Sequence, residues 1–487
     1  RGIMRHCIAF TAFLAVGRAA FIQSVLPASR VLAASSTGLS ARAQPLHSAA
    51  ARMTATATPG GAVAAGNPLL EQEGLPKFTD ITADHVGPAL TQLLADFNSG
   101  LASLEADLDA GAEPSWAAVV DRLEEVRAPL EYAWGVVGHL MGVKNSDALR
   151  EAHQAAQPEV VKAMSAYSQS KAVYQAFQAL EASPDLDASQ RRIVEKQLKD
   201  MELSGVGLDG AAQQEFNDIK LELASLSTKF SNHVLDDTKA FKKVLTDPEA
   251  VKGFPQSLKA ATAAAAKAAG HGDEATADAG PWLITLDMPV YLPLMQNAEH
   301  RPLREELYRA FISRAGSGEN DNSAILTRVL ELRQRQAELL GKANYAEVSL
   351  SSKMAGTVAA VDDLIAQLRE PAFAAAQREL EALRAFAKDQ GQAEPLELWD
   401  TTFWAERRRE ALYAYSDEEL RAYFSLDKVL TGLFGVIERL FGATVEAADG
   451  EAEVWHPDVR FFRVKDKSGA LLASFFLDPY ARPAEKR

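Results

Sequence analysis

From Asn67 onward, apolar residues recur at helical spacing. In "NSAILTRVLELRQRQAELLG", Ile325, Val329 and Leu332 share one face, Asn322 or Ser323 stands at the N-cap, and Gly341 occupies a C′ position. In "VAAVDDLIAQLRE", Val361, Leu364, Ile365 and Leu368 form one stripe, and Pro371 predicts a kink or break just after it. Ser416 and Glu419 of "SDEEL" have capping-box spacing and open another helix. Similar patterns predict helices over about 83–108, 115–142, 146–180, 186–203 and 209–240.

Strand signals are few. "PWLITLD" (281–287) reads as a short edge or isolated strand, and "ATVEAA" (443–448) as a second. The clearest is the terminal hairpin in 454–487, turning at Asp466 to Gly469. Its strands carry apolar residues on both faces: Val459, Phe461, Phe462 and Val464, then Leu471, Leu472, Phe475, Phe476 and Leu477. A half-solvated hairpin would alternate, so both faces expect cover, and that cover is expected beyond Arg487. No repeat of fixed 30- to 45-residue period is present, which weakens a solenoid reading. The fold class expected is mostly α: a multi-helix body with a few short strands and a C-terminal β-hairpin. The Ala-rich run at 257–280 is expected to be helical in its first half and a loop or linker in its second.

Composition narrows the classes. The chain is 47% apolar and 24% charged over 487 residues, enough for a large core. No apolar run reaches the roughly 18 to 20 residues of a membrane span. Cys7 is the only cysteine, which excludes an intrachain disulfide and any multi-cysteine metal site. The formal charge is −15, yet the first 70 residues hold six arginines and no acid, leaving −21 on the remainder. So acidic a body argues against a nucleic-acid partner.

Residues 1–66 are Arg-dotted, rich in Ala, Ser and Thr, and free of acid, the composition of an organellar transit peptide. "CIAFTAFLAV" could instead be the core of a secretory signal, and a plain disordered tail is the third reading. Chloroplast and mitochondrion are not separable. The abrupt arrival of Glu71, Glu73 and Asp80 places the expected cleavage between about 50 and 67.

Catalytic motifs are missing from the residues themselves. There is no G-x-S-x-G elbow, P-loop or G-x-G-x-x-G after a strand, and none of the nine histidines is followed by glutamate. Weaker constellations remain. His233, Asp236 and Asp237 share one helical face and could hold a metal or simply form a capping face. Glu151 and His153 lie two apart on a helix and point away from each other. His456 and Asp458 could share a site or stabilise a turn around Pro457. Trp399, Trp404 and Tyr415 could line a ligand groove or fill a core.

Several blocks, in order, resemble the oligopeptidase A branch of the thimet-oligopeptidase family of zinc metallopeptidases. They include "LPKFTDITADHVGPAL" from 75, "HLMGVKNSDALREAH" (139–153), "MELSGVGL" (201–208), "KFSNHVLDDT" (229–238), "LITLDMPVYLPLM" (283–295), "LLGKANYAEVSLSSKMA" (339–355), "VWHPDVRFF" and "SFFLDPYAR". The resemblance runs from about 67 to 487 and implies a zinc enzyme that hydrolyses short peptides, cleaved targeting peptides among them, in a channel between two mostly helical halves. It implies a helical wall over 67–245, an Ala/Gly-rich linker or loop over 246–281, and the start of the peptidase region over 282–487. In that family the "DxYAR" stretch leads into a glycine-rich turn and then H-E-x-x-H, where two histidines one turn apart hold zinc and the glutamate deprotonates its water. Those residues would lie beyond Arg487, so no catalytic or metal-binding residue is assigned within the chain, which is expected to be an inactive N-terminal fragment. Zinc belongs to the intact enzyme, whose expected partners are short peptides, with no nucleic acid and no membrane, and which is expected to be a monomer. The rival reading is a non-catalytic helical scaffold or peptide-binding protein that ends where the chain does. Reading the transcript past the Arg487 codon separates the two.

Overall fold

A computed structural model describes residues 66–487, apart from 393, 394, 483, 484 and 487. The transit-peptide expectation over 1–66 therefore falls, but for Gly66, outside the described residues. Among the described residues there are fifteen α-helices and five short strands, so the fold is mostly α.

The first core is built by α1 (Ala83–Asp109), α2 (Arg122–Val143), α3 (Asp147–Ser168), α4 (Lys171–Glu181) and α5 (Ala188–Leu203). In α1, Leu90, Leu93, Phe97, Leu101 and Leu104 recur every three or four residues and are all buried. A π-helical turn, Trp116–Asp121, opens α2. The single helix expected over 146–180 is two. Ser170 ends the run by accepting from the Val173 N–H (3.3 Å) and capping α4. Gln169 turns inward to Ser204 O (2.9 Å) and Asn217 Oδ1 (2.7 Å). Apolar periodicity continues across this break, which is why the sequence hides it.

The long α6 (Gly210–Ala240) follows, then β1 (Lys243–Leu245), α7 (Gln256–Ala268), β2 (Trp282–Ile284), α8 (Met288–Asn297) and α9 (Arg301–Ile312). The strand read from "PWLITLD" is short and is an edge strand, since its sheet has two strands, but it is not isolated. All three of its residues are buried, and it pairs antiparallel with β1, which the sequence did not announce. The Ala-rich helix α7 packs on β2 through Leu258, Ala263 and Ala266. These elements form a second core.

Helix α10 (Ser323–Leu339) lies antiparallel to α6. Arg328 pairs with Glu222 and Arg335 with Glu215, seven residues apart on each helix. Gly341 has φ +68, as its C′ position requires. After α11 (Tyr345–Leu350), α12 (Val358–Asp389) continues as one helix through Pro371, so of the expected kink or break the break is not seen. Residues around the proline are exposed, and the carbonyl it leaves unbonded can turn to water. The stripe of Leu364, Ile365 and Leu368 is present on α12 but faces outward, 55–60% exposed.

Helices α13 (Leu398–Tyr413), α14 (Asp417–Arg421) and α15 (Leu426–Phe441) lead to β3 (Thr444–Ala447), β4 (Arg460–Lys465) and β5 (Leu471–Leu477). The expected hairpin is one part of a three-stranded antiparallel sheet, ordered β3-β4-β5. Its turn forms where expected, with Asp466 Oδ1 accepting from the Ser468 and Ala470 N–H groups (2.8 and 3.0 Å) and Gly469 at φ +84. Both faces of β4 are covered, and by described residues. Phe461 pairs with Phe476, whose ring meets Phe78 and Trp455 of the first core (5.7 and 5.3 Å). Phe462 pairs with Phe475 and meets Phe434 of α15 at 5.2 Å. The expectation that cover lies beyond Arg487 is thus corrected for these rings. Leu471 and Leu472, at 57% and 60% exposed, remain open.

Candidate functional site

The strongest metal candidate in the sequence comes apart in space. His233, Asp236 and Asp237 do share one face of α6, but each is bound to a different neighbour. The His233 Nδ1 lies 2.9 Å from Asn322 Oδ1. Asp236 accepts two bonds from the Arg150 guanidinium (2.9 and 3.0 Å), and Arg150 Nε donates to Asn145 Oδ1 (2.7 Å). Asp237 accepts from the Ala315 N–H and from Asn320 Nδ2, both at 2.6 Å. Ala315 is a non-glycine residue at φ +52, a conformation that disfavours a side chain. The Asp237 carboxylate helps hold it. This face ties α6 to α3 and to the turn before α10.

Asp237→Ala leaves the buried Ala315 N–H without its acceptor, an expected loss of about 1 to 3 kcal/mol. Thermal unfolding with and without added zinc checks it. The midpoint should fall in the variant, and zinc should move neither protein. A zinc-dependent rise in wild type that vanishes in the variant would make this a metal site.

The other candidates also resolve into structure. Glu151 is exposed, while His153 stacks on Trp134 (4.5 Å, 17°), so the two share no site. His456 Nδ1 accepts from the Asp458 N–H at 3.2 Å, the turn-stabilising alternative. Trp399 packs near Tyr308 with Arg309 over its ring at 4.9 Å. Trp404 lies between Phe386 and Phe403 and donates to Gln392 Oε1 (3.1 Å). Tyr415 lies under Arg409 at 4.9 Å. These rings fill joints between helices.

Sequence reasoning missed two charged hubs. Asp400, fully buried, accepts from Arg301 (2.8 Å) and Arg304 (2.7 Å) of α9 and from the Glu397 N–H (3.1 Å) at the start of α13. Burial opposes its charge, but these donors outweigh it and hold the carboxyl below its usual range. Asp478, after β5, accepts from Arg482 (2.8 and 2.6 Å), Trp455 Nε1 (2.9 Å) and Lys486 (3.2 Å). Here too burial is overcome, and the carboxyl is held well below the ordinary carboxylate range. The visible signal was only that Arg301 and Arg304 share a helix face. The acid they meet is almost a hundred residues away.

An open cleft of about 450 Å³ lies between α4, the 201–208 turn and the end of α10. Three of its polar groups are engaged: Lys171 pairs with Asp209 outside the cleft, and Tyr174 donates to Glu202 (3.2 Å). Among the described residues no group of three or more His, Cys, Asp or Glu could hold a metal ion. Zinc therefore does not fit the described residues.

Comparison with known proteins decides the family. Residues 294–487 match the model of peptidase family M3, and residues 90–213 match that of the neurolysin/thimet oligopeptidase N-terminal domain. The chain is 48% identical over 426 residues to the probable cytosolic oligopeptidase A of Arabidopsis thaliana, covering 86% of this chain and 60% of that protein. It is equally similar, 48% over 426 residues, to the organellar (chloroplastic/mitochondrial) oligopeptidase A of that plant, covering 86% of this chain and 53% of the relative. The oligopeptidase A of Salmonella typhimurium is 38% identical over 424 residues, covering 85% of this chain and 61% of that protein.

The chain belongs to peptidase family M3.

Within it, the chain falls in the oligopeptidase A branch, as the quoted sequence blocks implied. This M3 chain spans between about half and three-fifths of the length of these relatives. Both family models fall on described elements: one covers most of the first core and the start of α6, the other runs from α8 to the terminal sheet.

Proposed function

We propose that this chain supplies the helical wall and the first part of the peptidase region of a zinc oligopeptidase that cleaves short peptides in an organelle. The observation that carries the reading is 48% identity to the organellar oligopeptidase A over 426 residues. Two helices support it. Leu364, Ile365 and Leu368 of α12, and Leu433, Val436 and Leu440 of α15, are 49–70% exposed. Apolar helix faces of this kind suit cover by further polypeptide. The share of the relatives' length that this chain does not match is the natural source. The described residues of this chain shape and orient the peptide's surroundings. Hydrolysis, with the zinc it requires, belongs to the whole protein. Residues 1–66 act as the targeting leader.

The test is a chimera joining this chain to the part of the Arabidopsis organellar relative that it does not match. It should cleave a quenched fluorescent peptide, lose that activity to a chelator, and leave folded proteins intact. The 487-residue chain alone should show no chelator-sensitive turnover. Recovered from organelles, the chimera should begin between residues about 50 and 67. A folded but inactive chimera would overturn the peptidase reading, and an intact leader would overturn the targeting one.

A further inference from the structure

His139 lies near the end of α2, and its ring is boxed by aromatic side chains from two distant parts of the chain. Phe78, from the segment before α1, lies 5.2 Å away; Trp455, before β4, lies 4.3 Å away at 77°. Phe476 of β5 closes the cluster against both (5.7 and 5.3 Å). The His139 Nε2 is buried and has no hydrogen-bond partner among the described residues.

The same corner holds the segment that follows β5, the tail from Asp478 to Lys486. Asp478 is locked by Trp455, Arg482 and Lys486. The Glu485 carbonyl accepts from the Asn145 N–H (2.8 Å), and Arg482 Nη2 donates to Val143 O (3.4 Å), both at the turn that ends α2. The box and the tail therefore share two members, Trp455 and α2 itself.

We propose that His139 is an acid-operated release for the tail carrying Asp478, Arg482, Glu485 and Lys486. As a neutral ring it packs like any other aromatic group. On gaining a proton, both ring nitrogens become donors, and the Nε2–H has no acceptor in the box. The charged group that acts on it is Asp478, just after β5, which is itself bound by Arg482 and Lys486. Glu453 Oε2 accepts from the Thr79 N–H beside Phe78 (3.1 Å), the Glu485 carboxylate acts on Arg482, and the Glu485 carbonyl is used by Asn145. That leaves Asp478, whose oxygens are taken by Trp455, Arg482 and Lys486. The proton is accommodated either by the ring leaving the box or by Asp478 turning toward it. Turning Asp478 breaks its bond to Trp455, and withdrawing the ring removes packing that holds Trp455 in place, so either outcome loosens the tail.

Burial lowers the His139 pKa from its usual 6.5, with Asp478 opposing. A histidine depressed in the folded state binds its proton more readily once released. The closed form is thus fully favoured above 6.5 and loses ground as pH falls from there toward the lowered value.

Amide exchange of the whole chain, corrected for intrinsic rates, tests this. Between about pH 7.5 and about pH 5.5, protection of Asn145 and of the tail peptides should fall by up to about tenfold, the limit that one proton on a released histidine of pKa 6.5 sets. His139→Phe keeps the box filled and cannot take a proton, so its protection should stay flat. Loss of protection to the same extent in His139→Phe, or none in wild type, would overturn the proposal. Should that variant not fold, exchange at the C2 hydrogen of His139 in wild type gives its titration directly. The midpoint must coincide with tail release, and separate midpoints refute the link. The result is independent of peptide hydrolysis.

Discussion

Replacing Asp400 by alanine is expected to destabilise the chain by about 3 to 5 kcal/mol, the cost of stranding a buried charge. Arg304 is only 2% exposed, and its guanidinium is spread between Asp400 (2.7 Å), the Ala298 carbonyl (2.6 Å) and the Phe403 ring (4.2 Å). Removing the carboxylate leaves the buried Arg304 cation facing no counter-charge. The Glu397 N–H also loses its acceptor, so α13 loses a cap. Asp400→Asn should recover part of the loss, because the amide oxygen still accepts while the charge stays unmatched. Exposed pairs such as Arg328 with Glu222 should cost far less when broken, because water replaces the partner. Urea unfolding of the three variants gives the comparison. Equal losses for Asp400→Ala and for the exposed pair would mean that the hub contributes no more than a surface contact. The pH dependence has a definite sign. Asp400 and Asp478 both titrate below the usual 3.8, so their contribution is present above that value and disappears as pH falls through their lowered pKa values.

The hub also shows what a sequence can and cannot reveal. The helices were legible because Leu90, Leu93, Phe97 and Leu101 repeat at the period of one buried face. The break at Gln169 was not, because it depends on Ser204 and Asn217, which the local pattern does not contain. The stripe on α12 was legible as a stripe, but periodicity records that a face is apolar and not what it meets. Likewise the doubled apolar faces of "VRFFRVKD" correctly announced cover on both sides. Only the structure shows that Phe78 and Trp455 supply one side and Phe434 the other. His233 with Asp237 looked like ligands because spacing is visible in sequence, while Asn320, Asn322 and Ala315, which claim them, are 78 to 89 residues away. Family membership was legible for a different reason. Ordered blocks carry it without any need to know which contacts they make.

Trp455 is where that hidden long-range contact has its greatest energetic weight. It belongs to the first core although some 250 residues separate it from Val206, the preceding member in the chain, and it is 7% exposed. Its ring packs on Phe78 (5.0 Å) and His139 (4.3 Å), and its Nε1 donates to Asp478 (2.9 Å). Trp455→Ala should therefore cost about 3 to 5 kcal/mol, since the cavity is lined by rings that cannot close over it. Trp455→Phe separates the two roles, because it keeps most of the ring and removes the donor. Asp478 would still hold Arg482 and Lys486, so the phenylalanine variant should lose about 1 to 2 kcal/mol. Chemical unfolding supplies the energies, and limited chymotrypsin cleavage after Tyr480 reports the tail. In Trp455→Ala both should fail together, since one side chain anchors the sheet to the helices and the tail to the sheet. A variant that unfolds at the wild-type midpoint while its tail is cut would show that the sheet docks without Trp455. The terminal strands would then be an appendage to the helical core, and their deletion would leave that core intact.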